Sequence, residues 1–178
     1  FHPNDNIIAC GTIAGEVSVF RCSEDGSDAL FTSNHHGESV RSMSFCHKSF
    51  DLYTASSDKS LACLTGSGEI IWRKIKAHEC PINIVRCFQE NLIACGDDEG
   101  NVSFWDKRMK NSVKMVKVHD DYVTDMAVDE ENDNLYMTSG DCTLSIFDLK
   151  NMKIFEQSYP QNSELTSVNI MDNGRKIF

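Results

Sequence analysis

Along most of this chain apolar and polar residues alternate in short runs broken by polar turns. This is the period of two shown by a half-buried strand, and no stretch carries the longer period of a helix. Residues 92–108, LIACGDDEGNVSFWDKR, show the pattern most clearly. A short apolar run (92–96) leads through a polar turn (97–100) into a second run, where Val102 and Phe104 share one side and Asn101, Ser103 and Trp105 the other. These residues predict a β-hairpin with an aromatic side chain at its exit.

The hairpin recurs at 7–20, 52–64 and 135–147, with alternating apolar pairs (Val17 and Val19, Leu61 and Cys63, Leu144 and Ile146) before each exit. The exit residues Phe20, Leu64, Trp105 and Phe147 lie 44, 41 and 42 positions apart. His36, His78 and His119 precede the last three by 28, 27 and 28 positions, each shortly before a new apolar start at Val40, Ile82 or Val123. A period near forty with a leading His and a closing Trp-Asp is the signature that WD repeats show, and the chain resembles part of a β-propeller. The expected fold is therefore all-β, a WD40 β-propeller fragment of about four four-stranded antiparallel blades, with blades near 1–35, 36–77, 78–118 and 119–160 and the next beginning at 161–178. A WD ring usually has about seven blades and roughly 300 residues, so a chain of 178 residues starting at Phe1 reads as a piece of such a ring.

In blade order, Phe1 is expected to close a first strand and 29–32 to form the first outer strand. Inner and outer strands are expected at 40–45 and 69–75, 82–87 and 113–117, and 123–128 and 153–158, with a further inner strand at 165–170. Small residues at the inner hairpin ends, among them Ala9, Gly11, Ala55, Ala94, Gly96 and Gly140, let neighbouring sheets converge. The exit aromatics are expected to fill the gaps between sheets.

A net charge of −10 argues against the segment as a whole binding nucleic acid or an anionic membrane. Charge is uneven, with a basic run from Lys107 to Lys117 and an acidic one from Asp120 to Asp133, both expected as solvated loops and outer strand. The eight cysteines form no C-x-x-C pair, and Cys10 and Cys95 hold the same place in two hairpins, so free thiols at packing positions in a reducing compartment are expected. No run reaches transmembrane length. The sequon at Asn101 falls inside a predicted strand.

In WD repeats a hydrogen-bond chain often joins the leading His, a turn Asp, a strand Ser or Thr and the closing Trp. Six positions before each exit residue stand Ala14, Asp58, Glu99 and Asp141, so no repeat is expected to hold the full set. A His, an acid and a Ser repeating in several blades argue against a hydrolase triad, and no G-x-S-x-G turn is present. His35, His36, Cys46 and His47 lack zinc spacing, and no phosphate-cradling glycine loop occurs. No catalytic residue, cofactor, metal or small-molecule substrate is expected.

Function should then lie in loops displayed on the faces of the ring. Repeat arithmetic puts Arg41, Asn83, Thr124 and Thr166, each just after a strand-opening apolar residue, on one face with Ser57 and Asp98. Arg41 is the favoured interface anchor, since Arg is enriched at binding hot spots.

The order GDDEGNVSFWDKR, VHDDYVTDMAVD, TSGDCTLSIFD and SELTSV, with the FHP opening and the KAHECPIN segment, resembles the WD repeat-containing protein 55 family across essentially the whole chain. The resemblance implies a non-enzymatic propeller protein of the nucleus, chiefly the nucleolus and with a cytoplasmic share allowed, that engages protein partners in ribosomal RNA production and ribosome biogenesis. Residues 93–108 also resemble the box ending Trp-Asp-x-Arg by which WD proteins dock on the damaged-DNA-binding adaptor of cullin-4 ubiquitin ligases. Trp105, Asp106 and Arg108 match its end, whereas Glu99 stands where an Asp is usual.

Overall fold

The computed structural model describes residues 1–171 and 176–177, and the regular elements among them are all β-strands. The first sheet holds β1 (Ile7–Gly11), β2 (Glu16–Ser23) and β3 (Gly26–Asn34). The second holds β4 (Val40–Phe45), β5 (Leu52–Ser56), β6 (Leu61–Leu64) and β7 (Ile70–Lys74). The third holds β8 (Ile82–Gln89), β9 (Leu92–Asp97), β10 (Asn101–Asp106) and β11 (Lys114–Lys117). The fourth holds β12 (Val123–Asp129), β13 (Asn134–Ser139), β14 (Leu144–Asp148) and β15 (Lys153–Gln157). Each is an antiparallel meander in which every strand pairs with the next in sequence. A short ladder joins β16 (Ile170–Met171) to β17 (Lys176–Ile177).

Two expected strands are absent from the ladders. Phe1 is 91% exposed and closes no strand: the amide of His2 donates to the Ile7 carbonyl at 2.8 Å, which folds 1–7 into a turn. The first sheet therefore has three strands where four were expected. Of the strand expected at 165–170 only Ile170 lies in a ladder, because the Leu165 and Val168 amides are given to Ser139 O (3.2 Å) and the Asp125 carboxylate (3.2 Å) of the fourth sheet.

Successive sheets pack face to face, with one apolar core in each gap. Val17, Val19 and Leu52 meet between the first and second sheets. Tyr53, Leu61, Ile82, Ile93 and Trp105 meet between the second and third, and Val102, Phe104, Met126, Leu135 and Phe147 between the third and fourth. The alternation in β10 explains the division: Phe104 faces forward and stacks on Phe147 at 4.7 Å, whereas Trp105 faces back toward Trp72. Middle strands such as β5, β6 and β9 are covered on both faces, while β15 is exposed throughout. The innermost strands lie side by side, and Ser42 and Ser44 Oγ accept the amides of Val85 (3.1 Å) and Cys87 (3.0 Å), so the sheets converge on a common axis.

The tight turn between the second and third strand positions needs a left-handed residue in every repeat, and Gly15, Lys59, Gly100 and Cys142 all have positive φ. At Gly100 a Cβ would lie 2.2 Å from the His119 carbonyl oxygen, so only glycine fits where the next repeat crosses.

Candidate protein-interaction faces

Each complete blade carries a β-bulge at the second residue of its innermost strand. The ladder skips Arg41 between Val40 and Ser42, Asn83 between Ile82 and Ile84, and Thr124 between Val123 and Asp125. A bulged residue is free of ladder pairing and its side chain is re-aimed, so the repeat itself delivers these three to the rim of the hub. The guanidinium of Arg41 hydrogen bonds to Asn83 Oδ1 and reaches Asp98 Oδ1 at 2.8 Å, joining the second blade to the third. Thr124 turns to the next element instead and donates to Leu165 O at 2.6 Å. Thr166 is exposed, and Ser57 is half-buried with its amide donated to Ser39 O. Arg41, Asn83 and Asp98 are thus brought into one cluster, while Ser57, Thr124 and Thr166 share the face without joining it.

Behind this face a polar chain centred on a histidine stiffens the turn of each four-stranded blade. In the third blade it is complete: the Trp105 indole N–H donates to Ser103 Oγ at 2.7 Å, His78 Nε2 meets the same oxygen at 2.6 Å, and His78 Nδ1 meets Asp97 Oδ2 at 2.7 Å. The acid is Asp97, where Glu99 had been expected, so the expectation that no repeat holds the full set is corrected. Asp97 ends β9 and its Oδ1 caps the turn by accepting the Glu99 and Asn101 amides, which leaves Oδ2 aimed at His78. Burial would depress His78, but the hydrogen bonds to Asp97 and Cys95 outweigh it and raise its pKa to about 10. In the second blade His36 bonds to Ser60 (2.8 Å) and Thr54 (2.8 Å), and in the fourth His119 bonds to Asp141 and Thr143 (3.0 Å each). Burial dominates at both and lowers their pKa, and it takes His35, beside His36, down to about 4.

The opposite face carries the turns after first and third strands. Arg108 lies there with its side chain 66% exposed, and the 5% exposed Asp106 grips it through Nε at 2.9 Å and Nη2 at 2.5 Å. The remaining N–H groups of the planar fork are left to point outward. Trp105 is only 3% exposed and packs in the core between the second and third sheets beside Trp72, so it is covered. Arg108 borders a cleft of about 400 Å³ whose wall includes Cys46, Phe88, Leu92, Val128 and Glu130. The charge runs are not simply solvated either. Lys107 reaches across blades to Asp51 at 2.5 Å with both side chains largely covered, and Asp129 is buried as a turn cap for Glu131 and Asn132. Asp125 bridges Arg86 at 2.8 Å.

The WD domain, G-beta repeat, profile matches residues 110–148, which run from β11 to the end of β14. Over 99% of its length the chain is 37% identical to WD repeat-containing protein 55 of Bos taurus and 36% identical to that of Homo sapiens, in each case covering 47% of the relative. The protein of the same name from Arabidopsis thaliana is 36% identical over 99% of the chain and 51% of its own length. The chain carries WD repeats and is similar to WD repeat-containing protein 55 along nearly its whole length. It spans about half the length of these curated relatives. Saccharomyces cerevisiae Sqt1 (TM-score 0.83, 15% identity, 94% of this chain and 51% of that one) and the β-propeller domain of Myceliophteria thermophila Cps50 (Swd1) (TM-score 0.84, 14% identity, 99% and 59%) share its fold.

In this WD-repeat chain the named candidates divide between two opposite faces, Arg41 with Asn83 and Asp98 on one and Arg108 with Asp106 on the other. Repeat counting passed over Asp97 and Ser103, which complete the inner chain, and Thr54, which binds both His35 Nε2 (3.1 Å) and His36. The signal for Ser103 was present in the alternation, since it shares its side of β10 with Trp105. Among the described residues no three His, Cys, Asp or Glu side chains gather as metal ligands would.

Proposed function

We propose that this segment forms part of a non-enzymatic scaffold that holds protein partners of ribosomal RNA production and ribosome biogenesis in the nucleus and nucleolus. The observation that carries the scaffold reading is the bulge at Arg41, Asn83 and Thr124: the fold spends regular ladder pairing in every complete blade to present a polar side chain at the hub. A rigid frame with displayed loops is suited to binding, and WD40 propellers are typically non-catalytic. The tie to ribosome production rests on the collinear likeness to the WD repeat-containing protein 55 family. Depletion of the protein should lower or misprocess precursor ribosomal RNA; normal levels and processing after depletion would count decisively against it.

A second reading is favoured by one feature, the exposed Arg108 fork held in place by Asp106. In it the segment docks on the damaged-DNA-binding adaptor of a cullin-4 ubiquitin ligase and serves as a substrate receptor, with Arg108 entering an acidic or carbonyl-lined pocket. Arg108→Ala should abolish capture of the adaptor from cell lysate and leave folding nearly unchanged, because an exposed charge adds little stability. Undiminished capture by that variant removes this reading and leaves the first untouched.

A further inference from the structure

The apolar cores between blades end at the Arg108 face, and two successive gaps end differently there. Between the second and third blades Lys107, two residues past the exit Trp105, meets Asp51 at 2.5 Å, and both side chains are largely covered. Asp51 stands one residue before Leu52, the ladder partner of the exit Leu64. The Lys107 ammonium lies 6.0 Å from the centre of the Tyr53 ring, so the ion pair caps that core with charge.

Between the third and fourth blades the same two places hold Leu149, two residues past the exit Phe147, and Leu92, one residue before Ile93, the partner of Trp105. An ion pair at one gap is thus an apolar pair at the next. Leu92, Val128 and Leu149 are half-buried against the core that contains Phe88, and all four line the cleft of about 400 Å³ beside Arg108. Pockets of roughly 300–1,000 Å³ with apolar linings and a few placed polar groups are the ones that take ligands. The core therefore reaches the surface here as an apolar floor. The mouth of the cleft is charged, with Arg108 and the exposed Lys48 as cations and Glu90, Glu130 and Asp133 as acids. Asp106 takes Nε and Nη2 of Arg108, and Nη1 makes no hydrogen bond among the described residues. A carboxylate can reach Nη1 without displacing Asp106, and the three acids repel it from the rest of the mouth.

We propose, on the reading that this segment binds proteins, that the cleft receives a partner segment carrying a bulky apolar side chain beside a carboxylate. The apolar group seats on Phe88, Leu92, Val128 and Leu149, and the carboxylate meets the free edge of the Arg108 fork. The apolar floor supplies affinity by burial, and the single cationic side of the mouth fixes the direction in which the segment lies.

The test is selection of random short peptides displayed on phage against the purified protein, followed by fluorescence anisotropy of the labelled consensus peptide. Leu or Phe next to Asp or Glu is the expected consensus. Arg108→Ala should weaken that peptide about tenfold or more. The double variant Leu92→Asp with Leu149→Lys, which copies the Asp51–Lys107 pair into the next gap and closes the floor, should bind it no better than a scrambled peptide. No enrichment, a consensus without a carboxylate, or parent-like binding by either variant overturns the proposal. Arg108→Ala, at an exposed site, decides the matter where the double variant fails to melt cooperatively. Failed selection together with misprocessed precursor ribosomal RNA on depletion removes this occupant and leaves the scaffold reading standing. Enriched peptides with normal RNA do the reverse.

Discussion

Ser103 and Ser145 stand at the same place in successive repeats, two residues before Trp105 and Phe147, and both are fully buried. Ser103 Oγ meets Trp105 and His78 and touches Cys95 Sγ at 3.0 Å, whereas Ser145 Oγ has no partner among the described residues. Phe147 has no N–H to offer, and His119 Nε2, unlike His78 Nε2, makes no hydrogen bond among the described residues. Ser103→Ala strips a buried Trp donor and a His of their shared acceptor and should cost about 2–3 kcal/mol. Ser145→Ala, which removes an unpaired hydroxyl, should stay within about 1 kcal/mol of neutral or stabilise. Thermal melting of the two variants beside the parent checks the contrast, and equal losses would contradict the account. At this scale the sequence was only partly legible. Counting back from the exit residue compares like positions, but the leading His lies in a gap that two positions can reach. Ser56 and Ser139 cap their turns from the place Asp97 occupies, through Asp58 N (3.1 Å) and Asp141 N (3.1 Å), and only the longer Asp also touches a His.

The blades respond to pH in opposite senses. His35, with its pKa near 4 in the fold against an ordinary 6.5, binds a proton more readily when unfolded, and His36 and His119 are shifted in the same direction. The stability contributed by the second and fourth blades is therefore complete above about pH 6.5 and declines as pH falls from there toward 4. His78 is raised to about 10, so its pairing with Asp97 contributes in full below about 6.5 and is lost as pH climbs from there through 10. Histidine ring NMR should find His78 still protonated at about pH 8 and His35 already neutral at about pH 6. A His78 titration at or below its ordinary value would remove the charged pair from the third blade. Apart from β3, which spans Gly26–Asn34 where 29–32 was expected, the strands were readable to within a residue or two, because burial on alternate sides imposes the period of two. At the exceptions, 1–6 and 165–169, the His2 amide goes to a turn and the Leu165 and Val168 amides go to the neighbouring sheet.

For the molecule as a whole, three inter-sheet cores imply that a blade is stable only with a neighbour on each side. The first and fourth sheets have one neighbour each among the described residues, and β14 shows it: Leu144 and Ile146 are only half-buried where the equivalent Val102 and Phe104 are covered. Phe155, Tyr159 and Leu30 are exposed near these ends. Residues 1–178 expressed alone should therefore self-associate through the uncovered faces. Light scattering during size exclusion checks this, and a monomer with one sharp melting transition would show that the faces need no cover.

The order of the strands, their grouping by forty-odd residues and the stacking of sheets were determined by the sequence alone. Each repeats many times, and each repetition votes for the same local energetics of burial and turn formation. Which acid meets His78, which blade holds a charged histidine, and which bulged side chains meet across blades were decided only by the tertiary structure. Those outcomes depend on two or three atoms from separate repeats arriving within hydrogen-bond distance, and no period along a single chain records that.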